Sequence, residues 1–332
     1  MFASPTAESG ALGIPALMRF WTRKIAARTG ASRPPSTSAD LSADKVLLAG
    51  LRIGLRETLD FLMTGTPSFE TFEAWVLAKN GGAIEAARIE RLNAALQGEG
   101  AFTLESILAA PVLSPADVAH WDEHGYVVLK RAVNSDACCA AVNAIFAHAG
   151  MSLDQPDSWY QNGLWIPLAH HAALWANRNS PRIHTAFAQI WRRGDLWMNV
   201  DVCGVNPPLR PGVAFPGTPL HWDMTLAPPL RFGTQAMLYL TDTAPDQGAF
   251  SCVPGFHRRL EAWLRNLPAD ADPRAIAPRH LQTIPVAGEA GDLIIWHHAL
   301  PHAATPNRGA SPRVVQYLNM FPAGHEVNAT WR

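Results

Sequence analysis

His221-Trp222-Asp223 sets an imidazole and a carboxylate two positions apart. On an extended backbone such residues share a face, so both can bear on one point. A His from a distant strand would complete a three-point face. Two His and one carboxylate, with further positions open, suit a divalent metal, and in particular Fe(II) that must also take O₂. Candidates for the second His are His297, His298 and His302. Beyond them lies Arg313, whose planar guanidinium could grip a co-substrate carboxylate through two parallel charge-assisted hydrogen bonds, a geometry Lys cannot reproduce.

The H-x-D pattern carries little weight alone. Thirteen His in 332 residues give about one H-x-[D/E] by chance, and this chain holds a second, His120-Trp121-Asp122. That copy falls inside a helix opened by Ser114-Pro115, with Ser as cap and Pro at the first position. Helical residues i and i+2 face different directions, so His120 and Asp122 cannot share an ion. His221 instead follows Pro216-Gly217-Thr218-Pro219 and leads into β-like sequence. Leu293-Ile294-Ile295-Trp296 reads as a buried strand after the Gly291-Asp292 turn; His297 and His298 continue it, and His302 follows Ala299-Leu300-Pro301. Pattern alone does not choose among the three.

The elements that must position these residues change character along the chain. Residues 1–41 are poor in acids and end near the Ser32-Arg33-Pro34-Pro35-Ser36 loop; they read as a leader without fixed structure. Residues 42–112 read as a helical region, with Leu47, Leu48, Leu51, Leu55, Leu59 and Leu62 at helical spacing, an N-cap at Thr66-Pro67-Ser68 and a stop at Asn80-Gly81-Gly82. This region has no His; packing, dimerisation or docking is the role expected of it. From 113 onward helices at 115–124, 135–150 and 180–191 accompany short β runs at 126–129, 196–205, 235–240, 250–253, 293–296 and 314–320, separated by Gly, Pro, Asn and Asp. That punctuation suggests a sandwich or jelly roll.

Composition narrows the function classes. Hydrophobic residues make up 48% and charged residues 17%, enough to bury a large core. The formal net charge is −1 with no basic block, which disfavours nucleic acid as a partner. No run of about 18 apolar residues appears, so no membrane span is expected. Cys138, Cys139, Cys203 and Cys252 form no C-x-x-C pair and read as reduced thiols. The expected location is the cytoplasm, and the expected partner a small-molecule substrate.

Several segments resemble the phytanoyl-CoA dioxygenase family of Fe(II)/2-oxoglutarate-dependent oxygenases. They are Leu113-Ser114-Pro115 through His124-Gly125-Tyr126-Val127-Val128-Leu129; Gln247-Gly248-Ala249-Phe250-Ser251-Cys252-Val253-Pro254-Gly255-Phe256-His257-Arg258, with Phe256 where the family usually has Ser; and Gly291-Asp292 through His302, Asn307 and Arg313. The resemblance covers residues 113–322 and implies a mainly β fold with flanking helices, built on a double-stranded β-helix (a cupin-like jelly roll) in 113–332. It implies that His221, Asp223 and His302 hold Fe(II) and that Arg313 grips 2-oxoglutarate. Tyr239, with Gln235 on the same strand face and Asn199 as a weaker candidate, is expected near that co-substrate. Substrate-pocket candidates are Trp222, Met224, Arg231, Trp165, Trp296 and His298, although alternation turns Trp222 away from the metal. The implied reaction consumes O₂ and 2-oxoglutarate, releases succinate and CO₂, and hydroxylates or desaturates a small organic molecule. Related halogenases replace the ligand carboxylate by a small residue, so Asp223 argues against halogenation. The competing readings are a zinc hydrolase, a cupin-like metal-binding protein, or a family member without activity.

Overall fold

The computed structural model describes residues 10–30, 36–99, 110–212, 215, 217–268 and 270–332. Most of the 32–36 loop, and Pro216, lie outside the described residues. The chain divides into two compact units. The smaller comprises the described residues of Met1–Leu104 with Arg193–Asp201 and Met320–Ala329; the larger comprises those of Glu105–Arg192, Val202–Asn319 and Thr330–Arg332.

The smaller unit is mainly helical. Helices α1 (Pro15–Thr29), α2 (Ser38–Gly50), α3 (Leu55–Gly65), α4 (Phe69–Lys79) and α5 (Ala86–Leu96) bury Leu17, Phe20, Leu47, Leu62, Phe72 and Val76. Helix α1 corrects the expectation of an unstructured leader. Its Arg-rich sequence hid an apolar edge at Ile14, Leu17 and Phe20, all fully buried. The leucine run expected as one helix breaks at residues 51–54, where Glu57 accepts from the Gly54 N–H and starts α3 afresh. A two-stranded ribbon pairs β3 (Leu196–Met198) with the late strand Met320–Pro322. The single strand expected over 196–205 is therefore two short ones, because residues 199–202 leave the ladder.

The larger unit is a double-stranded β-helix. Its six-stranded sheet runs in the order Tyr126–Leu129, Leu293–His297, Thr234–Tyr239, Arg313–Tyr317, Cys203–Asn206 and Trp165–Ile166. In chain order these are β1, β8, β5, β10, β4 and β2. A three-stranded sheet contains β7 (Ile284–Val286), β6 (Phe250–Cys252) and β9 (His302–Ala304), with β6 central. Neighbours pair antiparallel throughout. Strands alternate their side chains between two faces, and one face of each sheet builds a common core: Ile294, Trp296, Met237, Tyr239 and Val315 from the larger sheet, Phe250, Cys252 and Val286 from the smaller. The decoy His120 and Asp122 lie on helix Pro115–His124, as helical reading required.

Two features pin the β8 edge. Asp292 is fully buried, and its carboxylate accepts from Lys130 Nζ at 2.7 Å, the Arg131 N–H at 3.1 Å and the Glu289 N–H at 2.9 Å. Gly291 just before it has φ +95°, and a Cβ there would stand 2.4 Å from the Val133 carbonyl oxygen. Only glycine tolerates both constraints. Gly291→Ala is expected to lower unfolding stability by about 2–4 kcal/mol, read from urea denaturation; a change within experimental error would refute this account of the turn.

Candidate metal centre

The site begins with a backbone contact. His221 and His302 form an isolated antiparallel bridge: the His221 N–H donates to the His302 carbonyl at 2.9 Å, and the His302 N–H returns to the His221 carbonyl at 3.0 Å. Opposed residues in such a pair project side chains to the same side, and the two rings lie 4.5 Å apart between centroids. Asp223, two residues on, brings its carboxylate to the same point. His221 Nε2 lies 3.4 Å from Asp223 Oδ1, and His302 Nε2 lies 3.2 Å from Asp223 Oδ2. One ligand atom from each of these residues falls within 4.8 Å of the others.

The tautomers suit a metal. His221 Nδ1 sits 2.8 Å from the Pro219 carbonyl, and His302 Nδ1 sits 3.2 Å from that of Leu300. A carbonyl can only accept, so each Nδ1 carries a proton and Nε2 is the atom turned toward Asp223; it donates to that carboxylate here and would offer its lone pair to a metal after losing that proton. Burial alone would raise the Asp223 pKa, but hydrogen bonds from His221, His302 and Gln235 hold it well below the usual carboxylate range. Burial alone would lower that of His221; the Asp223 carboxylate and the Pro219 carbonyl outweigh it and raise it. The three groups therefore present an ionised carboxylate between two imidazoles, a donor set that fits Fe(II).

Aromatic side chains wall the buried side. Trp296 and Phe250 flank the His302 ring at 5.2 and 5.9 Å between centroids and stand 4.5 Å from each other. Trp296 Nε1 donates to Gln235 Oε1 at 3.1 Å, and Gln235 Nε2 donates to Asp223 Oδ2 at 2.6 Å. Gln235, expected beside the co-substrate, thus hydrogen-bonds the Asp223 carboxylate. Further along that strand face, Met237 Sδ meets Arg313 Nη1 at 3.4 Å. Arg313 is only 4% exposed, and its Nε is buried without a hydrogen-bond partner. A buried guanidinium with an unmet donor calls for an anion, which fits a dicarboxylate co-substrate.

The family model described as phytanoyl-CoA dioxygenase (PhyH) matches residues 121–315, more than half of the chain. The chain belongs to the phytanoyl-CoA dioxygenase family. It is a non-haem oxygenase that uses Fe(II), 2-oxoglutarate and O₂. A Dictyostelium discoideum protein named "Putative phytanoyl-CoA dioxygenase" is 20% identical over 259 residues, covering 61% of this chain and 74% of its own. Among solved structures, the carbocyclase SnoK from nogalamycin biosynthesis is 21% identical with a TM-score of 0.47, over 68% of this chain and 87% of that one. EvdMO1 is 20% identical with a TM-score of 0.45, over 62% of this chain, which spans 49% of that protein's length. No helix among the described residues is long and apolar enough to cross a membrane.

The other expected site residues of this dioxygenase have partners of their own. Tyr239 is fully buried; its hydroxyl donates to the Val286 carbonyl at 2.8 Å and accepts from the Phe250 N–H at 2.9 Å. It ties the two sheets together and has no proton left for a co-substrate carboxylate. Trp222 is 2% exposed, donates to the Ala299 carbonyl at 3.0 Å and packs with Phe256 and Trp263. It is core, as is Met224. His298 lies against Gly233, and Arg231 is exposed on the stretch before β5. Trp165 is 47% exposed and packs on Tyr317 at 5.0 Å. Asn199 belongs to the smaller unit, where its amide donates to Asp201 at 3.3 Å.

The His297 ring has partners of its own. Its Nδ1 accepts from the Ala299 N–H at 2.9 Å, and its ring packs near Trp121, Phe232 and His257. Burial, with His257 adding to it, depresses its pKa to about 3. A folded pKa below the unfolded value of about 6.5 means the unfolded chain binds the proton first. Stability is then complete above pH 6.5 and falls as pH drops toward 3. This residue should remove on the order of 2–3 kcal/mol between pH 6.5 and pH 4. His297→Asn, which retains an acceptor for Ala299, is expected to flatten that limb in urea titrations; an unchanged acid limb would disprove the assignment.

Proposed function

We propose that this dioxygenase hydroxylates, or desaturates, a carbon of a small organic molecule while converting 2-oxoglutarate to succinate and CO₂. In hydroxylation one atom of O₂ enters succinate and the other enters the substrate as a hydroxyl. In desaturation the substrate gives up two hydrogens, and the second oxygen atom leaves as water. What carries this reading is the meeting of His221, Asp223 and His302 at one point, with the two imidazole Nε2 atoms turned to the carboxylate. An intact Asp223 leaves no space for a halide at that position.

Each group then has a task. His221, Asp223 and His302 would hold Fe(II), which supplies O₂ activation when bound. Gln235 fixes the Asp223 carboxylate and is itself fixed by Trp296. Arg313, buried beside Met237, would bind the far carboxylate of 2-oxoglutarate. Trp296 and Phe250 keep bulk water from the buried side of His302. Substrate would enter from the side on which Asp223 is half exposed.

Purified metal-free protein given Fe(II), 2-oxoglutarate and O₂ is expected to form succinate, faster with a true substrate. Screening amino acids, acyl thioesters and small lipids by that signal would identify the substrate class. Asp223→Ala should reduce Fe(II)-dependent succinate formation at least about 100-fold, since a metal ligand is lost; wild-type rates in that variant would falsify the assignment. Arg313→Lys should raise the KM for 2-oxoglutarate about 10–100-fold, since two parallel hydrogen bonds become one. An unchanged KM would remove Arg313 from the co-substrate site.

A further inference from the structure

The Asp223 carboxylate sits between two core residues, Trp222 and Met224, on a stretch of chain that no sheet ladder braces. His221 is locked by its bridge to His302, but Asp223 and Met224 lie in a bend outside every strand. A sheet ladder therefore does not fix the backbone that carries Asp223. The bend turns the carbonyls of Trp222 and Met224, one on either side of Asp223, toward one side chain. Arg274 Nη1 donates to the Trp222 carbonyl at 2.6 Å, and Arg274 Nη2 donates to the Met224 carbonyl at 2.6 Å.

Arg274 is itself set firmly. Helix Pro273–His280, which follows helix Leu260–Arg265, starts with Asp272, whose side chain accepts from the Arg274 N–H at 2.9 Å, and with Pro273 at its first position. Both are strong helix-start signals. Ala277, one turn on, is fully buried in the main core. The guanidinium lies 5.2 Å from the centre of the Trp331 ring, and Nη2 also reaches the Arg332 carbonyl at 3.3 Å. That same carbonyl accepts from the Leu226 N–H at 3.1 Å, while Thr225 Oγ1 donates to the Thr330 carbonyl at 2.7 Å and accepts from the Arg332 N–H at 3.0 Å. Residues 330–332 thus run beside 225–226, and Arg274 closes the arrangement over residues 222–224.

We propose that Arg274 is a positioning residue for the metal centre: its two-pronged grip on the carbonyls flanking Asp223 holds the carboxylate at the point where His221 and His302 meet. This rests on the metal-site reading above. A planar fork with two parallel donors is the group that can take both carbonyls at once. A point charge such as an ammonium can satisfy one carbonyl well and leaves the bend free to open.

Electrostatics and positioning make opposite forecasts, which gives the test its force. Arg274 puts a positive charge close to a site for a dication. If charge were its only influence, removing it would tighten metal binding. If it positions Asp223, removing it weakens metal binding, by about 10-fold on the scale usual for groups supporting metal ligands. The full-length protein, stripped of metal, would be titrated with Mn(II) by calorimetry in wild-type, Arg274→Met and Arg274→Lys forms, with Co(II) visible absorption reporting ligand geometry and thermal unfolding confirming the fold. Both variants are expected to lose about 10-fold in Mn(II) affinity and to alter the Co(II) spectrum. Mn(II) affinity in Arg274→Met equal to or tighter than wild type, with an unaltered Co(II) spectrum, overturns the proposal. Should Arg274→Met not fold, Arg274→Lys decides alone, and wild-type affinity in it overturns the proposal equally. Failure of the wild-type protein to bind Mn(II) would instead refute the metal site itself, so the two ideas fail separately.

Discussion

The site depends on one pair of backbone hydrogen bonds, those between His221 and His302. They join a stretch of chain outside any regular strand to the edge of the three-stranded sheet. Two residues 81 apart in sequence are thereby held at the fixed separation of an antiparallel pair, so ring position follows from backbone position. The carbonyls of Pro219 and Leu300 then set both tautomers. Little is left to side-chain adjustment. A one-residue slip of the 221–224 segment would turn His221 and Asp223 away from His302 and carry Trp222 and Met224 out of the core.

The same short segment both anchors itself and presents chemistry, because successive side chains point opposite ways. Trp222 and Met224 go into the core, whereas His221 and Asp223 remain partly exposed. The strand at 234–239 divides its work along one face. Gln235 supports the ligand carboxylate, Met237 touches Arg313, and Tyr239 bridges to the smaller sheet. Burying Trp222 with Phe256 and Trp263 stabilises the fold by a few kcal/mol and simultaneously fixes the residues on either side of it. Core stability and site geometry are therefore coupled, and a cavity at Trp222 would be felt by His221 and Asp223 through the backbone they share.

Much of this was legible in the sequence, and the failures share a cause. His221 and Asp223 stood out because alternation and β context separate them from the helical His120 and Asp122. His302 could not be told from His297 or His298 by pattern, since the difference lies in what each ring meets: Ala299 satisfies His297, Gly233 abuts His298, and only His302 faces Asp223. For Tyr239 and Gln235 the period-two pattern gave the right face but not the depth along it, and depth decides between a sheet staple, a ligand support and a co-substrate contact. The break at residues 199–202 escaped notice because β propensity is local and a change of sheet is not. Arg274 had no signature beyond Asp272-Pro273, since its partners are backbone carbonyls some fifty residues away.

Charge balance links the two ends of the site. Arg313 is nearly inaccessible to water and has an unmet donor, so the fold has already met the desolvation cost of a guanidinium before any co-substrate arrives. On the proposed role of Arg313, a dianionic 2-oxoglutarate would recover that cost, and more so where the medium is dry, because the same low dielectric that penalises the lone charge strengthens the pair. At the other end Asp223 carries one negative charge against an incoming Fe(II). Iron, Asp223, 2-oxoglutarate and Arg313 would together sum to zero, and Arg274 close to Asp223 adds one positive charge, so the metal without the dianion would leave the site positive by three. On that proposal each partner would bind better with the other present, a coupling that would follow from burying Arg313 on the same sheet face as the glutamine that steadies Asp223.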